Sequence, residues 1–212
     1  MKAGILGSGI VGQTLAAGFL KHGHEVIIAT REPAKLADWL QAHPGAKVAD
    51  SRQAGAFGEV LVLAVKGNVA AQALEAAGRE NLRGKTVIDA CNPIADAPPD
   101  HGVLQLSTGP NESLMEQLQK RFPEAHLVKA FNSVGSANMV NPPFAEKPTM
   151  FICGNNDAAK KKVTGILDQF GWETADMGTA EAARAIEPLS ALWCIPGFTK
   201  NEWTHAFRLL HR

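Results

Sequence analysis

The chain has 212 residues, 45% of them apolar, and its 21 Lys plus Arg equal its 21 Asp plus Glu. That balance offers no cationic surface to nucleic acid or an anionic membrane, no apolar run reaches the ~18 residues of a membrane span, and the opening residues lack the form of a signal peptide. Cys91, Cys153 and Cys194 are scattered and the seven His are dispersed, so neither a disulfide framework nor a metal site is expected, and the protein is read as cytoplasmic.

Lys2 to Leu6 reads as a short buried strand, and Gly7-Ser8-Gly9-Ile10-Val11-Gly12 follows at once. An apolar helix then runs to His22, Gly23 breaks it, and Glu25 to Ala29 makes a second strand. G-x-G-x-x-G between a strand and a helix is the dinucleotide fingerprint. Gly7 permits the turn, Gly9 lets backbone approach a pyrophosphate, and Gly12 lets helix and strand pack closely. The helix start aims its free N–H groups at the phosphates.

The end of the second strand selects the dinucleotide. An NAD site places Asp or Glu there to accept from the ribose hydroxyls. Thr30-Arg31 stands in that place, with Lys35 four residues on. A hydroxyl and two cations suit a 2′-phosphate, and Arg brings a planar fork for it. The expected cofactor is NADP(H).

Pro33 to Gln41 reads as a helix, Ala46 to Ala49 as a strand, and Glu59 to Val65 as a central strand buried on both faces. Lys66-Gly67-Asn68 turns into a helix from Val69 to Gly78, and Thr86 to Asp89 is the next strand. Such alternation predicts an α/β, Rossmann-type doubly wound, mostly parallel sheet with its crevice at the carboxyl ends of the strands. Asn92-Pro93 falls at that crevice, as a cofactor-facing loop or a simple turn, and 94–109 reads as a loop over it. Asn111 or Ser113 starts a helix ending near Phe122. Leu127 to Asn132 and Met150 to Gly154 are strands. Asp157 caps a helix with Ala159, Val163, Ile166, Leu167 and Phe170 on one face and Lys160 to Lys162 on a solvated one. Trp172 to Asp176 is the last strand. From Thr179 the pattern is helical to the end, broken at Pro196-Gly197, and Thr199-x-x-Glu202 opens a final helix striped by Trp203, Ala206, Phe207 and Leu210. One domain is expected, with a Rossmann core over 1–135, a sheet extension over 136–178 and C-terminal helices over 179–212. The final stripe docks on the body or on a second subunit, and a homodimer is expected.

The chemistry that is missing also informs. The chain contains no Tyr, which removes Tyr-x-x-x-Lys catalysis, and it lacks a Gly-x-Ser-x-Gly elbow. Reducing a carbonyl calls for a placed proton donor, whereas a flavin-like ring is its own electron sink and asks mainly for stacking, distance and burial. The residues therefore point to a ring acceptor.

Gly7-Ser8-Gly9-x-x-Gly12, Thr30-Arg31, Val128-Lys129-Ala130-Phe131-Asn132, Ile152-Cys153-Gly154-Asn155 and Ala183-Arg184-x-Ile186-Glu187-Pro188-Leu189 with Leu192-Trp193 together resemble the coenzyme F420-dependent NADP reductase family. They are similar also to the cytosolic reductase domain of six-transmembrane metalloreductases, whose membrane helices and haem have no counterpart here. The resemblance implies hydride transfer between NADP(H) and a small-molecule acceptor, a deazaflavin or flavin as second substrate. It places Ser8, Gly9, Ile10, Val11 and Gly12 on the pyrophosphate, and Thr30, Arg31 and Lys35 on the 2′-phosphate. Val65, Lys66 and Asn92 follow along the cofactor, and Ala130, Asn132 and Ser133 lie by the nicotinamide, Asn132 being alternatively a strand-end cap. Arg184 and Glu187 are expected to pair with each other, and Trp193 to belong to the core. A ring parallel to the nicotinamide requires an open crevice at Asn132, Ser133 and Gly135. No residue emerges as an acid or base. A dehydrogenase of a small carbonyl or imine, and a non-catalytic NADP(H) sensor, are the alternatives.

Overall fold

A computed structural model describes residues 1–210. β1 (Lys2–Leu6), α1 (Ile10–Lys21) and β2 (Glu25–Ala29) form the expected first unit, with β1 and β2 parallel in register from Lys2–Glu25 to Leu6–Ala29. A 3-10 turn over Pro33–Leu36 precedes α2 (Ala37–Ala42) and β3 (Ala46–Ala49). Asp50 then caps α3 (Ser51–Phe57), accepting from the Gln53 N–H at 2.7 Å. Sequence reading passed over this helix, although Asp-x-x-Gln is a capping-box signature.

β4 (Val60–Leu63) is shorter than the apolar run that announced it. Helix formation after it stops at Gly78, whose φ of 87° suits glycine. That residue separates α4 (Ala70–Ala77) from a single turn, α5 (Arg79–Leu82). β5 (Thr86–Asp89), α6 (Leu114–Arg121) and β6 (His126–Lys129) follow. Of the two start residues considered for α6, Ser113 is the one used: its Oγ accepts from Glu116 N while Glu116 Oε2 accepts from Ser113 N. β7 (Thr149–Ile152), α7 (Asp157–Gln169), β8 (Glu173–Asp176), α8 (Ala183–Ile186) and α9 (Leu189–Lys200) complete the order. The cap of α7 is Asn156, which accepts from Ala159 N at 2.8 Å; Asp157 stands in the first turn, where a carboxylate favours the helix dipole.

The main sheet is parallel throughout, in the order β3-β2-β1-β4-β5-β6. Order reverses between β1 and β4, which opens a crevice above their carboxyl ends. β4 and β5 are buried on both faces. Period-two alternation sends Val60 and Val62 into the core shared with α1 and α7, and Leu61 and Leu63 into the core under α4 and α6. β7 and β8 form their own parallel pair, touching the main sheet through one antiparallel bridge, Lys129 to Cys153. The predicted extension of the sheet is thus a separate ribbon, because β6 stops at Lys129 and Phe131 turns out of the strand with φ 62°.

Two further expectations fail. Lys160 is buried, its ammonium 2.9 Å from Asp176 and 3.2 Å from Asp157, because a long stem packs while its head reaches a carboxylate. The final helix is absent. α9 runs through Pro196 and Gly197 to Lys200, Asn201 ends it in the left-handed region, and 201–210 carry no helix. Thr199 Oγ1 bonds back to Ile195 O instead of capping. The Trp203 ring lies against Gly197, filling the space a Cβ would need, so the chain doubles back and docks as a strap. Thr149 holds it twice, donating to Phe207 O at 2.8 Å and accepting from Leu209 N at 3.0 Å. The helical stripe that motivated a homodimer therefore does not form; Leu192, Phe198 and Trp203 remain partly exposed.

Candidate functional site

The three fingerprint glycines are required for three different reasons. Gly7 has φ 127° and no room for a Cβ beside the Ala64 carbonyl. A Cβ on Gly12 would strike the Gly7 carbonyl oxygen. Gly9 has ordinary extended backbone, φ −73° and ψ 179°, and a Cβ there would meet nothing. Neither conformation nor protein packing demands glycine at position 9, and open space above the backbone is what a pyrophosphate needs. The fingerprint thus fits a dinucleotide.

A cleft of about 370 Å³ runs past this turn, lined by Gly7, Ser8, Thr30, Arg31, Ser51 and Val65. The Ser8 and Thr30 hydroxyls lie 3.1 Å apart, and Thr30 Oγ1 also accepts from Glu32 N at 3.1 Å. Gln13 Nε2 holds the Ser8 carbonyl at 2.8 Å. Thr30 is therefore fixed before any ligand arrives. Arg31 is exposed and also lines a broader cleft with Pro33, Asp50, Ser51, Arg52 and Gln53, so α3, unforeseen, walls the outer end of the cleft. Lys35 is exposed and bonded to Glu32 at 2.9 Å. Ile10 and Val11 begin α1, Ile10 being 67% exposed.

Beyond Val65 the cleft continues as a cavity of about 250 Å³ walled by Val65, Lys66, Gly67, Asn68, Ala90, Asn92, Ile94, Ala95 and Asp96. The 94–109 segment lies at its rim, as expected, folded on itself by bridges Ile94–Leu106 and Asp100–Val103. Ala130, Asn132 and Ser133 do not line it. They are buried, 0–4% exposed, one layer below. Asn132 Nδ2 donates to Asn92 Oδ1 at 3.2 Å and Ile186 O at 2.9 Å, and Asn92 Nδ2 donates to Asn132 O at 2.8 Å. Asn132 thus steadies Asn92. The crevice expected open at Asn132, Ser133 and Gly135 is closed, because Trp193 lies on Gly135 and is itself 7% exposed. Trp193 stacks on His205 at 4.8 Å and the two exchange hydrogen bonds of 2.9 Å, so the strap seals this side and Trp193 is core.

Beneath the cavity lies a buried ion cluster that sequence reading missed. Lys129 Nζ is 2.7 Å from Asp89 Oδ2 and 2.8 Å from Glu187 Oε1, all three side chains being 0–1% exposed. Burial alone would depress the Lys129 ammonium, but the two carboxylates outweigh it and hold its pKa above the ordinary value. Glu187 also accepts from Leu114 N at 2.9 Å and Met115 N at 3.0 Å, capping α6 from across the fold. It does not pair with Arg184, which faces outward and holds Glu116 at 3.0 and 3.1 Å. Burial pushes the Cys153 thiol up to about 12 and raises Cys91 as well, so neither supplies a nucleophile near neutral pH. Among the described residues no cluster suited to a metal occurs, and no helix is long and apolar enough to cross a membrane.

Residues 2–93 match the family model described as NADP oxidoreductase, coenzyme F420-dependent. The chain is 29% identical over 199 residues to metalloreductase STEAP3 of Rattus norvegicus, 92% of this chain but 38% of that protein's length. It is 28% identical over 204 residues to the F420-dependent NADP reductase of Methanocaldococcus jannaschii, covering 91% of this chain and 90% of that one. A crystal structure from Arthrobacter sp. FB24, provisionally named an F420-dependent NADP reductase, superposes with a TM-score of 0.91 and 34% identity over 99% of both chains. An imine reductase of Streptomyces aurantiacus, 20% identical with a TM-score of 0.70 over 93% of this chain and 63% of its own, shares the fold.

Proposed function

The chain belongs to the coenzyme F420-dependent NADP oxidoreductase family, and from that premise we propose that it passes hydride between NADP(H) and a planar deazaflavin or flavin ring. The chain's own residues have defined tasks in this reading. The turn from Ser8 to Gly12 binds the pyrophosphate on backbone N–H groups, with Gly9 leaving the room. Thr30 and Arg31 take the 2′-phosphate, joined by Lys35 once it leaves Glu32. Val65, Lys66 and Asn92 flank the nicotinamide half, and Asn132 acts on it through Asn92. NADPH, when bound, supplies the hydride.

The observation that carries the choice of acceptor is the wall of the inner cavity. Val65, Ala90, Ile94 and Ala95 give it aliphatic surface, Asn92 gives an amide, and its ionisable side chains, Lys66 and Asp96, sit exposed at the edge. Such a wall suits a flat ring stacked at reacting distance. It offers no buried acid or base to a carbonyl. The test mixes the protein with NADPH and, in turn, a deazaflavin, FMN, FAD and a panel of aldehydes, ketones and imines, following NADPH consumption. Turnover with rings alone is expected. Turnover with a carbonyl or imine alone overturns the ring acceptor, and tight NADPH binding with no turnover leaves a redox sensor.

A further inference from the structure

Lys129 makes a third bond besides its two carboxylates. Its ammonium donates to the Cys91 carbonyl at 2.9 Å. Asp89 Oδ1 meanwhile accepts from Cys91 N at 3.0 Å. Residue 91 is thus gripped at its N–H by Asp89 and at its C=O by Lys129. The next residue is Asn92, on the cavity wall.

Peptide geometry carries that grip into the cleft. Across a trans peptide the carbonyl and the following N–H point in opposite directions, and the described chain has no cis bond. The Cys91 carbonyl is drawn inward onto a fully buried ammonium, so the Asn92 N–H faces outward. Among the described residues that N–H meets no acceptor. The Asn92 carboxamide, by contrast, is engaged with Asn132. A rigid wall residue therefore presents an unclaimed donor.

We propose that Lys129 is a positioning residue: by holding the Cys91 carbonyl it aims the Asn92 N–H into the cleft, where it binds an oxygen on the nicotinamide half of NADP(H). This rests on the cofactor reading above.

Isotope-labelled protein is titrated with NADP+ and separately with adenosine 2′,5′-bisphosphate, which has the adenosine half and no nicotinamide. The Asn92 amide resonance should move with NADP+ and stay in place with the bisphosphate, while Arg31 responds to both. Lys129→Met should weaken NADP+ roughly tenfold, the worth of one net hydrogen bond, and leave bisphosphate binding unchanged. Glu187→Gln disturbs the cluster but spares the bond to Cys91, so it should leave both affinities unchanged. If Lys129→Met fails to fold, the triple variant Lys129→Met/Asp89→Asn/Glu187→Gln, which buries no uncompensated charge, takes its place with the same expectation. An Asn92 amide that stays in place when the wild type is saturated with NADP+, or equal weakening of both ligands by the Lys129 variant, overturns the inference. Failure of the wild type to bind either ligand overturns the cofactor reading itself, and this inference with it.

Discussion

The two ends of the cleft hold charge in opposite ways. At the outer end Arg31 is exposed, and Lys35 and Glu32 pair with 70% and 60% of their side chains in water. At the inner end Lys129 sits between Asp89 and Glu187 with almost no exposure. An exposed pair is worth ~1 kcal/mol at most and is readily rearranged. A buried cluster strengthens each attraction but makes any single loss expensive, so it serves as a fixed stop. One end is free to rearrange, and the other is fixed.

The most severe way to break this contrast is to remove the ligand that spans both ends. Gly9→Val should leave the fold intact, since a Cβ there meets no protein atom, and abolish dinucleotide binding; titration of a variant with wild-type melting behaviour checks it. Next comes the buried end. Lys129→Met leaves two carboxylates uncompensated and should lower unfolding free energy by about 3–5 kcal/mol in urea titrations. The folded pKa of Lys129 is raised, so its contribution is complete below the unfolded value of about 10.4 and is lost only as pH rises through the folded one. The gap between wild type and variant should therefore narrow in strong alkali, as Lys129 loses its proton.

At the exposed end, Arg31→Asp should weaken NADPH by about 2–5 kcal/mol and NADH far less. Parallel titrations decide it, and equal weakening would make Arg31 a fold residue. Lys35→Ala should do least, changing NADPH binding and stability each by under about 1 kcal/mol. A larger loss would mean that the outer end is as rigid as the inner one.

Legibility in the sequence followed distance along the chain. Gly7, Gly9, Gly12, Thr30 and Arg31 belong to one strand–turn–helix–strand unit, and local rules place them together. The same holds for Ser113 and Glu116, or Asp50 and Gln53, where the cap is three residues wide. Lys129 and Glu187 share no local pattern; they meet because β6 and the α8–α9 turn converge over α6, and no periodicity encodes that. Asn132 looked like a cleft residue because it follows a strand, yet it is buried between Asn92 and the Ile186 carbonyl, while Trp193 closes over Gly135. The strap misled for a further reason. Trp203, Ala206, Phe207 and Leu210 have helical spacing, but Asn201 in the left-handed region reverses the chain, the Trp203 ring then lies against Gly197, and Thr149 holds the backbone at Phe207 and Leu209.

The Lys129 cluster also constrains descent. Replacing Lys129 alone strands two carboxylates in the interior, replacing either carboxylate leaves one matched pair, and replacing all three with apolar or amide side chains removes the charge altogether. The effects are thus far from additive: the cost of losing Lys129 depends on how many of the two carboxylates remain. A lineage that loses Lys129 first crosses a valley of poorly folded intermediates, so the trio should change in a set order, a carboxylate before the ammonium.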